Sequence, residues 1–229
     1  MAILVLGMHR SGTSCLAGSL QQRGLHLGQV YESRPYTQKG NRENQQVMDL
    51  NDAVLAYSGG SWDRPPARLA WSAAHAHERD ALVAGLRGDG RRPWGFKDPR
   101  TLLTLAFWRE ALSDARLVGT FRHPLAVARS LAARDRSMSL DRGMELWREY
   151  NQRLLDCHDR APFPLLDFDA DEDDYRRGIE AISAGLGLGL APADEFFERG
   201  LRNQAADATT ALPGPVEAVH RRLLGLALA

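Results

Sequence analysis

The sequence predicts an α/β fold: a three-layer α/β/α sandwich around a mostly parallel sheet of four to five strands. Two observations carry this. Ile3, Leu4, Val5 and Leu6 form a short unbroken apolar run that Gly7 ends at once, the pattern of a strand buried on both faces. Beyond it, short apolar runs alternate with longer stretches of helical periodicity, an order that right-handed crossovers fold into a parallel sheet with helices on both sides.

The elements follow in order. Leu16, Ala17 and Leu20 recur at helical spacing between Thr13 and Arg23, so the chain opens strand, loop, helix. Residues 25–41, rich in Gly, Pro, Tyr and polar side chains, read as a surface excursion. A helix over 43–57 carries Val47, Leu50, Val54 and Leu55 on one side, residues 59–66 break it, and another helix covers 73–86. A strand at 94–96, a helix over 101–112, a strand at 116–121 and a helix over 124–134 with Pro124 in its first turn make the second alternation. A long helix over 139–159 precedes a strand at 164–168, and helices near 172–185 and 215–228 flank a loop at 200–214. Residues 1–229 read as a single domain, a length at which one core is expected.

The totals exclude several classes of function. Basic and acidic residues balance at 29 each, so no bulk field draws the chain to nucleic acid or an anionic membrane, and an anion site must be local. Nearly all the cations are arginine; Lys39 and Lys97 are the only lysines. Cys15 and Cys157 are too few for a disulfide framework and lack metal spacing, which suits a reducing cytoplasm. The apolar opening is far too short to insert in a membrane.

Gly7-Met8-His9-Arg10-Ser11-Gly12-Thr13-Ser14 joins the first strand to the first helix, where free N–H groups and the helix dipole favour an anion. The place and spacing are P-loop NTPase-like, but a Walker A loop has lysine after its second glycine, where Thr13 stands. A nucleotide or small-molecule kinase is thereby disfavoured, though it remains the alternative with a catalytically inactive nucleotide-binding relative. A second motif, Phe121-Arg122-His123-Pro124, ends a strand, and Ser130 follows Arg122 by eight residues. A guanidinium fork and a hydroxyl on the next helix suit one phosphate group. Trp94-Gly95-Phe96-Lys97-Asp98-Pro99-Arg100 puts a cation at a third strand end.

Together these segments resemble the sulfotransferase family that uses 3'-phosphoadenosine 5'-phosphosulfate, in its bacterial carbohydrate and tyrosylprotein branch. The resemblance implies that Arg10, Ser11, Gly12, Thr13 and Ser14 hold the 5'-phosphate, with Arg10 also near the oxygen bridging to sulfur. It implies that Arg122 and Ser130 clamp the 3'-phosphate and that Lys97 stabilises transition-state charge, with Asp98 able to orient it. Glu43 stands where relatives carry a base, although Asn41 and Arg42 replace their usual aromatic pair, and His9 is the other candidate base. Arg202, in Leu201-Arg202-Asn203, resembles a segment near the end of bacterial members that reaches the nucleotide. Arg100 reads as a surface cap or a contact for an anionic acceptor, His123, Asp167 and Asp169 as turn residues, and His75 and His77 as a solvated helix start. The implied acceptor is a small molecule or glycan, no metal is needed, and oligomeric state is open.

Overall fold

The structure, a computed structural model, describes residues 1–32, 40–88, 90–91, 93–189 and 211–228. Its sheet has four parallel strands, β1 (Ala2–Leu6), β2 (Trp94–Lys97), β3 (Arg116–Phe121) and β4 (Leu165–Asp167), in the order β2-β1-β3-β4. In register, Leu4 lies between Phe96 on β2 and Leu117 on β3. Every residue of β1 is buried, and its alternation builds two cores. Ala2, Leu4 and Leu6 face one cluster; Ile3 and Val5 face the other.

Helices α1 (Thr13–Gln22) and α7 (Glu172–Leu186) cover the face of Ile3 and Val5 through Leu16, Leu20, Tyr175 and Ile179. The opposite face carries α2 (Gln45–Tyr57), α3 (Ala73–Gly88), α4 (Thr101–Ala111), α5 (Pro124–Arg134), α6 (Leu140–Arg160) and α8 (Gly214–Leu224). Each fully buried aliphatic side chain contributes about 1.5–3 kcal/mol relative to exposure. The parallel sheet and two helical layers match the expected sandwich.

Local chemistry sets most boundaries. Asn44, Ser139 and Asp171 cap α2, α6 and α7 through side-chain oxygens, and α7 ends at Gly187 in the left-handed region. Because Asn44 is the cap, α2 starts at Gln45, and Glu43 lies just outside the helix rather than in its first turn. The start of the expected surface excursion is instead buried: Leu25 and Leu27 join the core and His26 bridges in parallel to Trp94. The last helix stops at Leu224, and the following tail returns to the edge strand, Leu228 N–H donating to the Leu165 carbonyl at 2.9 Å.

The C-terminal ends of β1, β2 and β3 emerge side by side, delivering the Gly7 loop, Lys97 and Arg122 to one end of the sheet. In parallel α/β sheets this is the end where ligands bind.

Candidate functional site

The loop from Gly7 to Ser14 is built for close backbone approach. A Cβ at Gly12 would collide with the Phe168 ring and one at Gly7 with the Thr120 carbonyl, and both glycines have positive φ. Arg10 also sits at φ 67, a conformation rare outside glycine that points to a functional constraint. Thr120 Oγ1 donates to the Ser11 carbonyl at 3.1 Å and fixes the turn. Helix α1 opens at Gly12 with no side-chain cap, so its first N–H groups are left for an anion. Among the described residues the buried Ser11 hydroxyl has no hydrogen-bond partner.

The two anion motifs meet. Arg10 Nε donates to Ser130 Oγ at 2.8 Å across 120 residues of sequence. The loop and clamp thus touch through these side chains. Arg122 is buried beside them, its guanidinium over the Phe168 ring and its Nε 3.1 Å from Asp169 Oδ1. Asp169 also accepts from the His123 N–H at 2.9 Å, so it is a partner of the clamp and more than a turn residue. His123 caps α5, accepting from the Leu125 N–H. Burial and the charges of Arg134 and Arg122 lower the pKa of Arg10; cations crowd this point.

Lys97, 2% exposed at its side chain, donates to Glu43 Oε1 at 2.5 Å, the Asn41 carbonyl at 3.0 Å and Ser14 Oγ at 3.3 Å. All three ammonium protons are engaged. The other Glu43 oxygen accepts from Asn41 Nδ2 at 2.7 Å. Both carboxylate oxygens therefore accept a hydrogen bond, and the cation beside Glu43 is Lys97; Arg42 turns instead to Glu32.

Asp98 does not orient Lys97. It accepts from Asn51 Nδ2 at 3.1 Å and pairs with Arg100 at 3.0 Å. Asn51, fully buried on α2, also bonds Thr101, Thr104 and Trp108, tying α2 to α4 and the turn after β2. Arg100 pairs further with Asp52 at 2.7 Å and is mostly covered, so it is no surface cap.

His9 packs against Trp62 with ring centroids 4.8 Å apart and against Tyr150 at 6.3 Å. Trp62 comes from the α2–α3 connection, which α6 holds: Tyr150 hydroxyl donates to the Trp62 carbonyl at 2.8 Å and Arg142 to the Asp63 carbonyl at 2.6 Å. Burial first, then the charges of Arg100, Lys97, Arg134 and Arg10, push the His9 pKa well below the ordinary imidazole value. The motifs of the sequence give Trp62, Tyr150, Asn51 and Arg134 no role at the site. Only Arg134 left a signal, standing one helical turn beyond Ser130 on α5. Arg202 lies outside the described residues. A groove of about 570 Å³ between α3 and α4, lined by Arg79 and Glu110 among others, shares no residue with this site.

Three comparisons bear on identity. The model of the sulfotransferase family matches residues 2–188. No curated protein matches the chain. Among solved structures, the sulfotransferase domain of the Synechococcus PCC 7002 olefin synthase has a TM-score of 0.61 at 17% identity, covering 98% of this chain and 93% of that one. The sulfotransferase domain from the curacin biosynthetic pathway gives 0.59 at 13%, covering 99% and 98%. Sulfotransferase STF9 from Mycobacterium avium gives 0.52 at 14%, covering 98% and 67%. At these identities the structures are alike in fold, and the family match spans most of the sequence. The chain belongs to the sulfotransferase family.

Proposed function

We propose that the enzyme moves a sulfuryl group from 3'-phosphoadenosine 5'-phosphosulfate to a hydroxyl or amine of a carbohydrate or small-molecule acceptor, without a metal. The Arg10–Ser130 contact at 2.8 Å carries the reading. In this reading it brings the loop for one phosphate beside the clamp for a second, at one end of the sheet, which favours a donor with separate 5'- and 3'-phosphates.

In this reading Gly12, Thr13 and Ser14 offer the first N–H groups of α1 to the 5'-phosphate, with Ser11 lining the turn, while Arg122 and Ser130 hold the 3'-phosphate. Arg10 and Lys97 stabilise the charge that grows on the bridging and equatorial oxygens as the S–O bond breaks. Lys97 must exchange a present bond to do so, and its 3.3 Å bond to Ser14 is the longest of its three. Asn51 and Asp98 brace the strand end that presents it. The two free cysteines suit a cytoplasmic setting, and among the described residues no helix is long and apolar enough to cross a membrane.

Isothermal titration tests the donor. Adenosine 3',5'-bisphosphate is expected to bind without Mg²⁺, and tight Mg²⁺-ATP binding with no response to the bisphosphate would overturn the proposal in favour of a kinase. Transfer of labelled sulfate from the donor into a cell extract, abolished in Lys97→Ala, separates an active enzyme from an inactive relative.

A further inference from the structure

We propose that His9 takes the proton of the acceptor hydroxyl during sulfuryl transfer, that Glu43 instead positions Lys97, and that Trp62 and Tyr150 hold the His9 ring in place. The inference rests on the sulfotransferase reading above and assigns the base within that site.

A base needs a lone pair free to meet the acceptor. Glu43 has Lys97 at 2.5 Å on one oxygen and Asn41 at 2.7 Å on the other, so each of its oxygens already accepts from a neighbour that holds it in place, although each keeps a second lone pair. His9 differs: among the described residues its ring makes no hydrogen bond, and Nε2 is buried without a partner. A buried polar atom left unpaired costs about 1–3 kcal/mol and calls for an explanation. The ring's neighbours are the rings of Trp62 and Tyr150. Beside aromatic rings an N–H can find a weak partner and a lone pair cannot. With the ring proton on Nε2, the lone pair stands on Nδ1, the nitrogen that is not sealed.

The charges around the ring keep it neutral. Lys97 and Arg100 act from the end of β2, Arg10 from the loop and Arg134 from α5, each disfavouring imidazolium. Arg10 and Lys97 are the cations assigned to the donor, so a bound donor, bringing negative charge between them, relieves part of this repulsion and raises the basicity of His9 when the acceptor arrives. The acceptor oxygen then forms its bond to sulfur, the bond from sulfur to the bridging oxygen breaks, and its electron pair leaves on the 5'-phosphate of adenosine 3',5'-bisphosphate. The hydroxyl proton passes to Nδ1 and is later lost to solvent.

The test uses the full chain and follows two quantities: affinity for adenosine 3',5'-bisphosphate, and labelled sulfuryl leaving the donor for water or for acceptors in the small-molecule fraction of a cell extract. His9→Gln is expected to keep affinity within about threefold and lose about 100-fold in transfer, the lower range for a general base. Trp62→Leu should move the acid limb of the wild-type pH–rate profile upward as the ring becomes hydrated, and Trp62→Phe should restore it; loss of packing alone lowers the rate without moving the limb. Transfer by His9→Gln within threefold of wild type overturns the inference and leaves the family reading intact. A wild type that fails to bind the bisphosphate overturns the functional reading, and the inference falls with it.

Discussion

Arg122 rests its guanidinium on the Phe168 ring and its Nε on Asp169, an arrangement that leaves little freedom for the fork to lose on meeting a phosphate. Arg122→Ala is therefore expected to weaken adenosine 3',5'-bisphosphate by about 1.5–3 kcal/mol, the worth of a charge-assisted hydrogen bond. Adenosine 5'-phosphate, which lacks the group Arg122 is assigned to, should bind the variant as it binds wild type. Calorimetry with both nucleotides reads the difference, and equal losses on both would remove Arg122 from the 3'-phosphate. This arginine was legible because strand, Arg and Ser at a spacing of eight are local features. Its partner was not, since Asp169 lies 47 residues away and reaches it only through the pairing of β3 with β4. Trp62 and Tyr150 were hidden for the same reason: their meeting with His9 depends on how a loop lies across α6, and no periodicity encodes that.

Helix α8 docks through His220, whose ring lies 4.9 Å from His123, 5.8 Å from Trp147 and 6.4 Å from Phe121. Burial, with a smaller contribution from the charge of His123, lowers its pKa to about 4, against the opposing pull of Asp169. A histidine depressed in the folded state binds its proton more readily when unfolded, so its contribution to stability is full above the ordinary pKa of about 6.5 and is lost as pH falls towards 4. Thermal melts at pH 7 and pH 5 should show a fall that His220→Phe reduces; an equal fall in both proteins would mean that α8 docks without regard to this ring. The helix itself was expected near 215–228, and Val216, Val219 and Leu223 form its buried side. Its acid sensitivity was not, because His123 and His220 are 97 positions apart in sequence and share a wall only once α5, α6 and α8 pack. The same limit applies to α2: Leu50, Val54 and Leu55 marked its apolar side, whereas Asn51, which no apolar pattern marks, is the fully buried link to Asp98 and Trp108.

Over the whole molecule the formal charge is zero, so attraction for an anionic ligand comes from where cations converge rather than from their number. Arg10, Lys97, Arg100, Arg122 and Arg134 derive from the first loop, the ends of β2 and β3, and α5; Glu43, Asp98, Asp52 and Asp169 pair with three of them, while burial and then the charges of Arg134 and Arg122 depress Arg10. A ligand that neutralises two separate points of this cluster should stabilise the whole fold, since it binds the native state alone. At a hundredfold excess over its Kd, adenosine 3',5'-bisphosphate adds about 2.7 kcal/mol by mass action, which for a chain of this size raises Tm by about 5–11 °C. Raising salt from 50 to 500 mM should shrink the shift, because the Debye length over which partly exposed charges act falls from about 14 Å to about 4 Å. Mg²⁺-ATP at the same concentration, whose phosphates lie along one line, should give a markedly smaller shift. Thermal melts with each nucleotide at both salt concentrations decide it, and equal shifts with ATP and the bisphosphate would mean that the cluster responds to negative charge in general and has no geometry for two phosphates.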